Sequence, residues 1–204
     1  LSLAGLTDRI SYLNEGDWVV LNHNGAQVYD EDNRKATRQT VRTQVSGALV
    51  GKGNYRHFMQ KEIFEQPQVI GDTLTQLVNP AARKVMLPDL GIDFAKVPKL
   101  TIIACGTAYY AGCVAKYWFE QIARLPVEID IASEFRYREA PMPEGGVALA
   151  ISQSGETADT LAALRYAKAQ KQRILSVVNV PSSTIARESD AVLPTLAGPE
   201  IGVA

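Results

Sequence analysis

Residues 146–180, "GVALAISQSGETADTLAALRYAKAQKQRILSVVNV", hold a short apolar run, a turn of small polar residues, an alanine- and leucine-rich helical stretch and a second β-favouring run. Two such runs joined through a helix make a βαβ unit, whose strands must lie parallel because the connection crosses the sheet. The same alternation continues on both sides. Before it, "KLTIIACG" reads as a buried strand, "YYAGCVAKYWFEQIARL" as a helix and "VEIDIA" as a strand; after it, "DAVLPT" reads as another strand. Short apolar strands alternating with helices indicate a doubly wound α/β domain with a flavodoxin-like parallel sheet.

The first part of the chain differs. "DWVVLNHNGAQVYD", residues 17–30, places two β-favouring runs around Asn24–Gly25, a dipeptide suited to a tight hairpin. Residues 34–53 lose any sustained period and contain three glycines, as expected for a last strand entering a linker. Residues 54–78 space Phe58, Ile63, Val69, Ile70, Leu74 and Leu77 mostly three or four apart around Pro67, which predicts two helical segments.

The chain has 204 residues, a formal net charge of -1 and 46% apolar residues, the profile of a globular protein. Near-neutral charge without a basic run argues against nucleic acid as partner. No apolar run approaches the roughly 18 residues that a membrane span requires. A cytoplasmic, membrane-free protein acting on a small molecule is expected. Cys105 and Cys113 have no second pair and no neighbouring histidine, so neither a disulfide framework nor a metal site is expected, and no cofactor is assigned. The start on Leu1 and the apolar ending "GPEIGVA" suggest a segment of a longer chain.

In a doubly wound sheet, ligands bind beyond the carboxyl ends of the strands, near the reversal of strand order. Two turns stand there: Cys105, Gly106, Thr107 and Ala108 after one strand, and Ser152, Gln153, Ser154, Gly155, Glu156 and Thr157 after another. A helix N-terminus offers unpaired N–H groups and partial positive charge, and hydroxyls add donors, so the second turn is shaped to hold phosphate. Neither turn carries a P-loop or G-x-G-x-x-G pattern, which disfavours nucleotides. The competing reading is local: Ser154 or Thr157 caps its helix, Gly155 permits the turn and Glu156 sits in the first helical turn. Capping needs one hydroxyl, however, and the segment supplies three. Cys105 has no base nearby and is read as a strand-end packing residue. Glu134 and Arg136 fall at another strand end as an ion pair or exposed edge, and Tyr109, Tyr110, Tyr117, Trp118 and Phe119 are read as helix core and packing surface.

"CGTAYYAG", "EIDIASEFRYR", "SQSGETADTLAALR", "NVPSSTIARESD" and "AGPEIGVA" together resemble the first sugar isomerase (SIS) domain of the glutamine:fructose-6-phosphate amidotransferase family, and "TDRISYLNEGDWVVL" and "KGNYRHFMQKEIFEQP" resemble that family's last glutaminase segment and linker. The resemblance implies a remnant of the glutaminase domain over residues 1–45, a linker over 46–53 and a truncated first SIS domain over 54–204. It further implies phosphate binding by Ser152, Gln153, Ser154 and Thr157, sugar contacts from Cys105, Gly106 and Thr107, and a backbone contact from Val203. Ala108 departs from the serine of some relatives. Fructose 6-phosphate and glucosamine 6-phosphate are the implied ligands, with glutamine handled only by a domain outside this sequence. No catalytic residue is assigned within the chain, and a homodimer is implied for the full-length enzyme. The alternative is a SIS-type regulatory module that senses a phosphosugar. A regulator would open with a basic helix-turn-helix, where this chain has a hairpin pattern.

Overall fold

A computed structural model describes residues 7–42 and 51–202. The chain divides into two compact units, residues 1–65 with 198–204, and residues 66–197.

In the first unit, β1 (Arg9–Ser11) pairs antiparallel with β5 (Thr40–Arg42), while β2 (Trp18–Asn22), β3 (Gly25–Tyr29) and β4 (Lys35–Ala36) form a three-stranded antiparallel sheet. The β2–β3 hairpin is present, but its loop residues are His23 and Asn24. Gly25, with φ of +132°, already pairs with Asn22. The Asn22 carboxamide accepts the Asn24 N–H at 2.9 Å, so the turn is closed by a side chain. Trp18 and Tyr29 stack across the hairpin with centroids 4.5 Å apart. Arg38 grips Asp17 through two nitrogens at 2.7 Å each, and this hydrogen bonding holds the Asp17 carboxyl below its ordinary pKa.

Helix α1 (Phe58–Leu77) runs unbroken through Pro67, where two segments were expected. Proline removes only one donor from the ladder, the N–H that would bond to the carbonyl four residues earlier, and the helix continues past it. Within the first unit, the Glu62 carboxylate accepts the N–H groups of Ile201 and Gly202 at 2.7 and 2.9 Å.

The second unit holds the expected sheet. After the short pair β6 (Val78–Asn79) and β7 (Lys84–Val85) come β8 (Leu100–Ala104), α2 (Gly106–Trp118), β9 (Val127–Ile131), α3 (Ala132–Arg138), β10 (Val147–Ser152), α4 (Ala158–Ala169), β11 (Arg173–Val178), α5 (Thr184–Glu188) and β12 (Ala191–Pro194). The five main strands are all parallel in the order β12-β11-β10-β8-β9. Counted along the chain from β8 this is the flavodoxin-like order, with the reversal between β8 and β10. β8 is buried over all five residues, as a central strand covered on both faces must be.

Side chains alternate between two cores. On one face Ile103, Ala148, Ala150, Ile174 and Val178 meet Phe135 of α3, Ala163 and Leu164 of α4 and Ile185 of α5. On the other, Leu100, Ile102, Val127, Leu149 and Leu175 pack with Leu90, Leu125 and residues of α2. Gly112 admits α2 close to the sheet, since a Cβ there would lie 2.6 Å from Ile129 Cδ1. The aromatics of this helix divide. Tyr109 and, just past the end of the helix, Phe119 are half-buried, but Tyr110, Tyr117 and Trp118 are exposed rather than core, because the face of α2 that they occupy points away from the sheet. Helix α3 was not foreseen as a helix. Its seven residues are too few to show a period, and they place Glu134 and Arg136 on a helix rather than on a strand end.

Candidate functional site

Ladder pairing sets Ala104, the last residue of β8, against Ile151 of β10, so the two turns of interest leave the sheet side by side at the reversal point. The turn after β8 begins with Cys105, extended at φ −123° and ψ 161°, followed by Gly106 with φ of +57°. A Cβ at Gly106 would meet nothing within 4 Å, so the backbone conformation, not crowding, calls for glycine there. Thr107 is exposed beside it. Cys105 packs against the α3–α5 core, and the buried Thr160 hydroxyl of α4 lies 4.0 Å from its sulfur, which joins the two turns.

The turn after β10 is built from its own hydroxyls. Ser152, nearly buried at 5% exposure, accepts the Gly155 N–H at 3.0 Å, and Ser154 accepts the Glu156 N–H at 3.2 Å. Thr157 occupies the position before α4, yet its side chain caps nothing. Its oxygen stands 3.2 Å from the Ser152 oxygen instead. The local capping explanation therefore fails for Thr157. A hydroxyl that accepts from the backbone keeps its proton to donate. Only one proton is consumed between Ser152 and Thr157, so the turn presents preset hydroxyl donors beside the N-terminal end of a 12-residue helix. Gln153, half-buried, lies between them.

A second loop braces this turn. Asn179 N–H donates to the Gln153 carbonyl at 3.1 Å, and Ile185 N–H to the Gly155 carbonyl at 3.0 Å. Gly155 is left-handed at φ +66°, and a Cβ on it would fall 1.9 Å from Ser183 Oγ. The glycine is thus required by the bracing loop. The Glu156 carboxylate does not sit in the first turn of α4 as expected, since the helix starts two residues later; it accepts the Thr184 N–H at 2.8 Å. Asp159, in the first turn of α4, is held by Arg136 of α3 at 2.7 Å. That hydrogen bond raises the Arg136 guanidinium further above its ordinary pKa.

Seven of the eight residues singled out from sequence thus stand at the switch point in two adjoining turns: Cys105, Gly106 and Thr107 in one, with Thr107 exposed, and Ser152, Gln153, Ser154 and Thr157 in the other. Val203 lies outside the described residues. Sequence reasoning missed Asp159, Thr160, Asn179 and Ser183; it singled out Arg136 as half of an ion pair or an exposed edge, and the partner that the structure gives it is Asp159. Only Ser183 carried a local signal, a serine opening a helical stretch, and its hydroxyl does accept the Ala186 N–H at 3.4 Å. Among the described residues no cluster of histidine, cysteine, aspartate or glutamate could hold a metal ion. Among the described residues no helix is long and apolar enough to cross a membrane. An apolar hollow lined by Ala115, Trp118, Phe119, Ile122 and Ala123 sits at the opposite end of α2 from Cys105 and lacks the donors that a charged ligand needs.

A family model described as "SIS domain" matches residues 93–204. The chain is 64% identical over 204 residues to a glutamine--fructose-6-phosphate aminotransferase [isomerizing] of Brucella abortus, and 60% identical over 204 residues to one of Zymomonas mobilis. It spans all of its own length but 34% of theirs. Among solved structures it is similar to the C-terminal domain of glucosamine-fructose-6-phosphate aminotransferase from Francisella tularensis, with 44% identity and a TM-score of 0.67 over 76% of this chain and 43% of that one. The Escherichia coli tagatose-6-phosphate ketose/aldose isomerase shares the fold at 14% identity, with a TM-score of 0.60 over 70% of this chain and 41% of that one.

Proposed function

Because this chain belongs to the SIS-domain family, whose model matches residues 93–204, we propose that it is the sugar-phosphate-binding portion of an enzyme that makes glucosamine 6-phosphate from fructose 6-phosphate and glutamine. Ser152, Gln153, Ser154 and Thr157 hold the phosphate, and Cys105, Gly106 and Thr107 face the sugar. The names of the relatives support this choice over a phosphosugar-sensing regulator. In this reading residues 1–45 close a glutaminase domain, residues 46–53 form the linker and residues 54–204 belong to the first sugar isomerase domain of a cytoplasmic homodimer.

The observation that carries the phosphate assignment is the Thr157 hydroxyl, which leaves its helix uncapped and turns to Ser152, 3.2 Å away. A hydroxyl at the start of a helix normally satisfies a backbone N–H. Withholding it leaves that N–H, and one of the two hydroxyl protons of the Ser152–Thr157 pair, available to an anion, and hydrogen bonds to a charged acceptor are worth about 1.5–3 kcal/mol each. Proton transfer between C1 and C2 of the sugar needs a positioned acid or base. The two carboxylates nearest in sequence to the turn, Glu156 and Asp159, are already bound to Thr184 and Arg136. The chain by itself therefore binds the sugar phosphate without converting it.

Calorimetric titration with fructose 6-phosphate tests this. Ser154→Ala and Thr157→Ala should each weaken binding about tenfold or more, in line with the loss of one charge-assisted hydrogen bond. Unchanged affinity in both variants removes the phosphate assignment. Glucosamine 6-phosphate formed by the chain alone would show that catalytic groups lie within it.

A further inference from the structure

We propose that Arg136 is a positioning residue that sets the affinity of the phosphate turn by neutralising Asp159, an acid that would otherwise stand uncompensated beside the bound dianion. The inference rests on the phosphate reading of residues 152–157 and deepens it.

The turn itself brings no cation. Its donors are neutral hydroxyls and backbone N–H groups, and the two ionised side chains in or next to it, Glu156 and Asp159, are both acidic. A phosphate dianion arriving there meets two like charges, and like charges within a few ångströms disfavour each other by amounts that decide affinity. Each acid has a dedicated partner. Glu156 is drawn to the Thr184 N–H at 2.8 Å, on the bracing loop. Asp159, two residues beyond Thr157, receives the Arg136 guanidinium at 2.7 Å from a neighbouring helix. Both members of this pair are only partly exposed, at 30% and 40% of their side chains, so screening by water and salt is incomplete. The remaining face of Arg136 lies over the exposed Tyr137 ring, 4.7 Å from its centroid, which fixes the guanidinium without adding charge.

The charge arithmetic gives signed expectations. The Arg136–Asp159 pair is neutral as a whole. Arg136→Gln leaves one negative charge and should weaken binding of inorganic phosphate and of fructose 6-phosphate about three- to tenfold at low salt, with the difference shrinking at high salt. Asp159→Asn leaves one positive charge and should tighten binding about two- to fivefold. Arg136→Gln combined with Asp159→Asn is neutral again and should return affinity to within about twofold of the parent. A purely structural role for Arg136 predicts the opposite for the double variant, since the loss of packing would persist.

Titration of the 204-residue chain with inorganic phosphate and with fructose 6-phosphate, at low and high salt, reads all three. Arg136→Gln binding as tightly as the parent, or a double variant as weak as the single one, overturns the inference. If Arg136→Gln does not fold, Asp159→Asn decides alone, and unchanged or weaker phosphate binding overturns the inference. Ser154→Ala, titrated alongside, separates the two levels. If it weakens binding while Arg136→Gln does not, only the role of Arg136 fails; if neither does, the phosphate reading fails.

Discussion

Replacing Gly155 by alanine should be among the most damaging single-methyl changes available in this chain, and its cost divides into two parts that can be measured apart. The first is conformational. Gly155 sits at φ +66°, where an L-residue costs about 1–2 kcal/mol. The second is steric, because the added Cβ would stand 1.9 Å from Ser183 Oγ and 2.5 Å from Ser183 Cβ. Ser183 is buried and its backbone is fixed by the N-cap of α5, so relief requires the two loops to separate, at about 1–3 kcal/mol. The total is about 2–5 kcal/mol. Ser183→Gly removes both clashing atoms and by itself costs a few tenths of a kcal/mol as a weaker cap. The double variant should then retain only the conformational part, about 1–2 kcal/mol, which makes the two substitutions strongly non-additive. Urea unfolding followed by far-UV circular dichroism gives each number. Gly155→Ala within about 0.5 kcal/mol of the parent, or a double variant no more stable than Gly155→Ala, would refute the account of the bracing loop.

Phe135→Ala should destabilise the sheet unit by about 3–5 kcal/mol in the same assay, because the ring is fully buried between α3 and the sheet and meets Tyr166 edge-on at 5.8 Å; a loss under about 1 kcal/mol would show that the core closes over the gap. On the acid side, hydrogen bonding from Arg165 holds the Glu188 carboxyl below its ordinary pKa of 4.5. A depressed folded-state pKa adds stability that is fully present above the ordinary value and is lost as pH falls through and below it. Glu188→Gln should accordingly flatten the loss of stability below about pH 4.5 and leave the neutral region less stable than the parent, and an unchanged acid limb would remove this pair from the pH response. Cys105→Ser should keep fructose 6-phosphate affinity within about threefold, since the sugar contact proposed for Cys105 comes from the turn it opens, whereas its sulfur packs against the core and lies 4.0 Å from the Thr160 hydroxyl; abolished binding at unchanged stability would place the thiol itself in contact with the ligand.

The sheet was legible from the chain alone because its signals are local. Runs such as Val147–Ser152 and Arg173–Val178 declare buried strands within six residues, and the alanine-rich stretch between them has no competing conformation. From strand order follows the switch point, and from the switch point the two turns that carry Cys105 and Ser152–Thr157. Where the local signal was short or double-edged the reading fell short. Seven residues of α3 could not show a period, and Pro67 suggested a break in a helix that continues through it. Hydroxyl content marked residues 152–157 as a site, but the direction of each hydroxyl did not follow from content. That Thr157 turns to Ser152, that Glu156 reaches Thr184, that Arg136 finds Asp159 and that Gly155 makes room for Ser183 are contacts between residues up to 28 positions apart. Their partners are chosen only when α3, α4 and α5 settle on one face of the sheet, because a side chain's hydrogen bond depends on which neighbour the packed backbone delivers within about 3 Å. Sequence marked the turn where an anion site is expected; tertiary packing decided which way each of its hydroxyls and carboxylates turns.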